Sequence, residues 1–111
     1  MPLSNARKVS AYVQSLDRWK GEPLYAALVE TLRQHGIAGA TAVRGREGYG
    51  ASGEIHARAP LDLAEDVPVV VTFVDTPERI DAVLPTIAVM MAGQGTLVVN
   101  DVRIRSSAAR P

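Results

Sequence analysis

Glycines 45, 48 and 50 alternate with Arg44, Arg46 and Tyr49, and a second pair, Gly93 and Gly95, brackets Gln94. The chemistry such residues can do is anion holding. Glycine lets the backbone take φ > 0 or sit against a ligand, and backbone N–H groups in glycine-rich turns cradle an anion unaided. Arginine neutralises a phosphate or carboxylate through its planar fork, although Arg44 and Arg46 would equally keep a strand end soluble. Tyr49 can stack on a base or pack the root of its loop. Arg103 and Arg105 share one face of a strand, where they could close a cleft or stand as a solvated edge. The candidate ligand-binding residues are therefore Gly45, Arg46, Gly48, Tyr49, Gly93, Gln94, Gly95, Arg103 and Arg105. Gly95 is expected to accept valine at little cost to the core, with the site blocked.

Catalytic and metal constellations are thin. His56 with Glu54 or Asp62 makes an acid–base pair on paper, but a loop histidine among acidic neighbours is more often solvated or structural, and no catalytic residue is assigned. His35 stands at the end of a helical stretch, where positive charge suits the helix dipole. Cysteine is absent and the two histidines are remote in sequence, so no metal site is assigned. Met90 and Met91 continue a helical stripe and read as core, and Trp19 as packed under its loop or at a subunit contact.

The elements that must position these residues follow from hydrophobic period. Lys8 to Gln14 alternates, with Val9, Ala11 and Val13 on one face, and reads as a strand. Ser15 to Gly21 reads as a loop. Pro23 suits the first turn of a helix, Leu24, Leu28 and Leu32 give its apolar stripe, and Gly36 is placed to cap its end. Ala38 to Arg44, small and β-branched, suits a strand packed closely on both sides. Val67 to Asp75 is a strand apolar on both faces, with Pro68 near its start. Thr76-Pro77 is an N-cap followed by proline at N1. Ile80, Val83, Leu84, Ile87, Met90 and Met91 mark the second helix, which Pro85 should kink and Gly93-Gln94-Gly95 should end. Thr96 to about Arg105 is the last strand, with a bulge or frayed edge at Asn100-Asp101.

That order, βαββαβ, predicts an α+β ferredoxin-like sandwich, an antiparallel sheet with both helices on one face. Two helices cover only one face, yet Val67 to Val74 is apolar on both. Leaving valines in water forgoes about 1.5–3 kcal/mol each, so the second face is expected to be a sheet-to-sheet self-association surface. One domain spans 1–111, with a flexible loop at about 47–66 and a loose tail at 106–111. Twelve basic and twelve acidic residues cancel, which argues against nucleic acid as a partner. No apolar run in the sequence is long enough to span a bilayer and no signal-like segment opens it, so a cytoplasmic location is expected.

Several stretches then carry a resemblance: Gly36-Ile37-Ala38-Gly39-Ala40-Thr41-Ala42-Val43-Arg44-Gly45, Gly48-Tyr49-Gly50, Glu54-Ile55-His56, Asp66-Val67-Pro68-Val69-Val70-Val71, Gly21-Glu22-Pro23-Leu24-Tyr25, and Val74-Asp75 before Glu78-Arg79-Ile80. From Val9 to Ile104 the chain resembles the PII-like family called domain of unknown function 190. The resemblance implies a homotrimer allied to PII signalling proteins, with a small-molecule effector in clefts between subunits and a loop that contacts regulated partners. Glu54, His56 and Arg58 would then be partner-loop residues. Relatives associated with a fluoride-exporting membrane channel imply a membrane transporter or channel as partner. Where signalling PII proteins carry a Gly-Asp-Gly-Lys turn for nucleotide phosphates, this chain has Gly93-Gln94-Gly95-Thr96, without the acid and the lysine. That departure favours AMP or ADP over ATP as the implied adenine nucleotide. Tyr49 stands at the loop base rather than its apex, so uridylylation is not carried over. Two alternatives share the fold: an ion-binding or enzymatic trimer like the divalent-cation-tolerance proteins, using His56 and nearby carboxylates, and a ligand-free structural interaction domain.

Overall fold

The most apolar strand of the sequence takes an inner place in the sheet. In a computed structural model, which describes residues 2–45 and 66–105, the chain forms β1 (Ser4–Gln14), β2 (Arg18–Trp19), β3 (Glu22–Pro23), α1 (Leu24–Gln34), β4 (Gly39–Arg44), β5 (Pro68–Asp75), α2 (Pro77–Met91) and β6 (Thr96–Ile104). The main sheet has the order β4-β5-β1-β6, each neighbouring pair antiparallel. This is the expected βαββαβ sandwich: α1 carries the chain from β1 past β5 to β4, and α2 carries it from β5 past β1 to β6.

Both helices pack on one face. Val9, Ala11 and Val13 of β1 and Val69, Val71 and Phe73 of β5 are buried against Leu24, Leu28 and Leu32 of α1 and Ile80, Val83, Ile87, Met90 and Met91 of α2. At about 1.5–3 kcal/mol for each fully buried large side chain, this layer is the main source of stability. Along β5 burial alternates residue by residue, as a period of two requires. The opposite face carries no helix and is apolar toward the β4 end of the sheet and hydroxyl-bearing next to it. Its rows run Val43–Val70–Tyr12 and Thr41–Thr72–Ser10–Val98, with Val43 59% and Tyr12 48% exposed.

The helix ends follow from local chemistry. Pro23 occupies the N-cap of α1 rather than its first turn, and no side chain caps that end. At the other end the Gly36 N–H bonds the Arg33 carbonyl and the Ile37 N–H the Leu32 carbonyl, both at 3.1 Å. Gly36 adopts φ 73°, so this is the Schellman closure its glycine predicts. The α2 N-cap is Thr76, whose hydroxyl accepts the Arg79 N–H at 3.3 Å, with Pro77 in the first turn. α2 continues through Pro85; Pro85 and Asp81, one turn earlier, are both exposed, so solvent can satisfy the acceptor that proline leaves unbonded.

Four expectations need correction. β1 begins at Ser4, not Lys8, because β6 pairs with it continuously to Ser4↔Ile104. β6 has no bulge at Asn100-Asp101; the pairs Lys8↔Asn100 and Arg7↔Asp101 stay in register, and Asp101 accepts from the Arg7 guanidinium at 3.0 Å. β4 is an edge strand, exposed along most of its length within one chain, not a strand packed on both sides. The Ser15 to Gly21 segment contains half of a hairpin, β2–β3. Its two-residue turn, Lys20-Gly21, has φ 48° and 84°, the pair of positive values that a tight hairpin needs. The loop and tail expectations concern residues outside those described.

Candidate functional site

The sheet brings the two glycine segments to one end but to opposite edges. Gly45 leaves β4 beside the start of β5, its N–H bonded to the Pro68 carbonyl at 2.7 Å. A Cβ there would lie 2.9 Å from Pro68 Cγ, so glycine lets the strand end close on its neighbour. The other segment, Gly93-Gln94-Gly95, joins α2 to β6 on the far edge. Three interstrand spacings, about 14 Å, separate the two edges within one chain.

The second turn is tightly built. Ala92, Gly93 and Gly95 take φ of 28°, 83° and 77°, and the Gln94 N–H bonds the Met91 carbonyl at 2.7 Å. A Cβ on Gly95 would stand 2.2 Å from the Tyr12 carbonyl oxygen. Valine at Gly95 is therefore incompatible with the end of β1, contrary to the sequence expectation. Gln94 also has a role that the sequence did not show. Its side-chain carbonyl accepts the Arg18 N–H at 3.3 Å and its amide donates to the Arg18 carbonyl at 3.2 Å. Both ends of this amide thus grip the backbone of β2, and the β2–β3 hairpin is docked on the glycine turn. Behind it Trp19 packs against the core, with the Lys20 ammonium 5.1 Å from its ring centroid.

The same end holds Asp66 and Val67, where the described chain resumes. Asp66 Oδ1 accepts the Ser15 hydroxyl and the Leu16 N–H, both at 3.2 Å. The Val67 N–H donates to Ser15 Oγ at 2.9 Å, and the Ser15 N–H to the Val67 carbonyl at 2.8 Å. Asp17 Oδ2 accepts the Gln14 N–H at 2.9 Å. Ser15 to Arg18 thereby spans from Asp66 to the glycine turn. Sequence reasoning passed over Ser15, Asp66 and Asp17; the cluster of small polar residues around a strand end was the available signal.

Arg103 and Arg105 are not brought to this end within one chain. β6 carries Arg103 opposite Asn5, at the start of β1, roughly 25 Å from Gly95 along an extended strand. A cleft of about 320 Å³ lies at that far end, lined by Asn5, Ala6, Arg7, Pro77, Asp101 and Val102. Its cation is already matched, since Arg7 pairs with both Asp81 and Asp101, and hydrogen bonds to Asp101 and Asp81 raise the guanidinium pKa further. His35 caps α1, with Nδ1 2.8 Å from the Thr31 carbonyl, which fits its structural reading. Arg46, Gly48, Tyr49, Glu54, His56, Arg58 and Asp62 lie outside the described residues.

Residues 6–104 match the model of the family described as an uncharacterised ACR, domain of unknown function 190. The chain belongs to the DUF190 family. Within it, a UPF0166 protein of Methanocaldococcus jannaschii is 30% identical over 105 residues, spanning 92% of this chain and 94% of its own. A UPF0166 protein of Aquifex aeolicus is 35% identical over 71 residues, 64% of this chain and 68% of its own. Among solved structures, CPII of Thiomonas intermedia K12, a nitrogen regulatory PII-like protein bound to ADP, AMP and bicarbonate, superposes with a TM-score of 0.71 at 15% identity, covering 93% of this chain and 91% of its own. A protein of Thermus thermophilus described as PII-like in signalling gives 0.64 at 20% identity, covering 94% and 93%. At such identities the likeness establishes the fold alone: this DUF190 chain has a PII-like fold. Among the described residues no helix is long and apolar enough to cross a membrane.

Proposed function

We propose that this DUF190 protein is a trimeric regulatory module, not an enzyme, that binds an adenine nucleotide between subunits and acts on a partner through residues 47–66. The observation that carries the reading is the placement of Gly45 and Gly93–Gly95 at the same end of the sheet on opposite edges, beside a face that no helix covers and on which Val43, Tyr12 and Val98 stand exposed. Copies packed by that face around a three-fold axis would bring the β4 end of one subunit to the glycine turn of the next. Gly45, Arg46, Gly48 and Tyr49 would line one wall of the cleft and Gly93 and Gly95 the other. Gln94 would support the turn rather than touch the ligand. Arg103 and Arg105 would have to come from a neighbouring subunit. The bound ADP and AMP of the Thiomonas protein support an adenine nucleotide, and a turn without lysine favours AMP or ADP over ATP. Glu54, His56 and Arg58 would meet the partner, for which a membrane transporter or channel is the candidate.

Sedimentation equilibrium with calorimetry tests this. The wild type should be a trimer that binds AMP or ADP more tightly than ATP. Arg46→Ala should weaken nucleotide binding by about 1.5–3 kcal/mol, the range for a hydrogen bond to a charged group, without changing the oligomer. A micromolar monomer, or no binding of any adenine nucleotide, would overturn the reading.

A further inference from the structure

The glycine turn stands in an unfavourable place for an anion. It follows the C-terminus of α2, where the helix dipole presents about half a negative charge, and the last turn of α2 carries no basic residue. The turn itself, Gly93-Gln94-Gly95, adds none. A phosphate held there needs a cation from elsewhere in the fold. The element docked on the turn is the β2–β3 hairpin, and its exposed charged residues are Arg18, Lys20 and Glu22, two cations and one acid. Gln94 joins the hairpin to the turn by gripping the backbone of Arg18, which leaves the Arg18 side chain out of the joint. Among the described residues neither Arg18 nor Lys20 forms an ion pair, the Lys20 ammonium lying over the Trp19 ring, whereas Arg7 is held by Asp81 and Asp101 and Arg33 by Glu30. Lys20 is also held at φ 48°, a backbone conformation in which asparagine or glycine is the usual residue. The two-residue hairpin turn requires that conformation at this position.

We propose that the β2–β3 hairpin, docked on the glycine turn through Gln94, supplies through Arg18 and Lys20 the positive charge that holds the phosphate of an anionic ligand at that turn. The inference rests on the anion-site reading above and names the charged groups within it. Arg18 offers a planar fork for two phosphate oxygens, and Lys20 a point charge at the hairpin tip. Gln94 is a positioning residue in this arrangement.

The test is calorimetry on the full chain with ADP, adenosine and pyrophosphate, comparing wild type with Arg18→Ala/Lys20→Asn. The variant keeps the Gln94 joint, which uses only the Arg18 backbone, and asparagine tolerates the left-handed turn; its melting temperature and oligomer should match the wild type. ADP affinity should fall about tenfold or more, adenosine affinity should stay constant, and the salt dependence of ADP binding should flatten as two cations are removed. Gln94→Ala should lower ADP affinity and increase amide exchange in the hairpin. Equal ADP affinity and equal salt dependence in wild type and double variant would overturn the hairpin assignment while leaving the nucleotide reading intact. A wild type that binds pyrophosphate but not ADP, with binding lost in the variant, would support the hairpin and overturn the nucleotide. Binding of neither anion by the wild type would overturn both.

Discussion

At Gly95 a Cβ would overlap the Tyr12 carbonyl oxygen at 2.2 Å, and the φ of 77° is one that L side chains avoid. Gly95→Ala therefore combines the penalty of a left-handed non-glycine residue with overpacking against a strand, together about 2–5 kcal/mol. Urea denaturation should show a lowered midpoint, and an unchanged midpoint would sink this account of the turn. Asp75 is a second demanding position. It is 2% exposed, and its carboxylate accepts the Ala38 N–H at 2.9 Å and the Thr76 N–H at 2.7 Å. Those bonds tie the entry of β4 to the start of α2. Asp75→Ala should cost about 1–3 kcal/mol, because the Ala38 and Thr76 N–H groups lose a charged acceptor, and Asp75→Asn should cost less, since it keeps one acceptor. Equal loss in both variants would mean that the charge or the second carboxylate oxygen sets the requirement, since asparagine keeps the side chain's shape and one acceptor.

Among the elements, α2 has a side-chain cap and α1 does not. Thr76→Ala should therefore destabilise the protein by about 1 kcal/mol, the usual worth of an N-cap oxygen, read as a shift in the thermal or urea midpoint. Substituting Pro23 at the uncapped end tests a different thing, the closure of the β2–β3 hairpin that Pro23 also ends. The Ser15 to Arg18 segment matters for another reason. Bonds at one end reach Asp66 and at the other Gln94, so Asp66 and the glycine turn share one short piece of backbone. In the proposed regulatory module, this is the piece through which a ligand at the turn would be felt at residues 47–66. Ser15→Ala should leave ADP affinity within a few fold and reduce the protection from amide exchange that ADP confers on residues 66–67. Full protection in that variant would show that the coupling runs elsewhere.

For the whole molecule the decisive surface is the face without helices. Val70 sits at its centre, between Val43 and Tyr12, and an unpaired charge there is not tolerated in a close apolar contact. Val70→Asp should convert the proposed trimer to monomer, or prevent folding at concentrations where the wild type is folded. Val98→Asp, on the less buried edge strand, should dissociate the assembly while leaving the monomer folded by circular dichroism. If both variants sediment as the wild type does, that face is not the interface.

By itself, the sequence determined the βαββαβ order of the main sheet and helices, the caps at Gly36 and Thr76, and the existence of a second face on β5 that two helices on one side leave uncovered. These are properties of period and of local turn chemistry, which neighbouring residues encode together. The family resemblance was legible for the same reason, since its motifs are contiguous. What only the tertiary structure decided depends on residues far apart in the chain. Gln94 grips Arg18 across 76 positions, Asp66 bonds Leu16 across 50, and Gly95 is closed by the Tyr12 carbonyl. No spacing rule connects such pairs, because the sheet register that brings them together is set by the whole core. The same register put Arg103 and Arg105 at the end away from Gly95. Glycine at 93 and 95 was readable as a turn, but the closure of Gly95 against the end of β1 followed only from what the turn packs against.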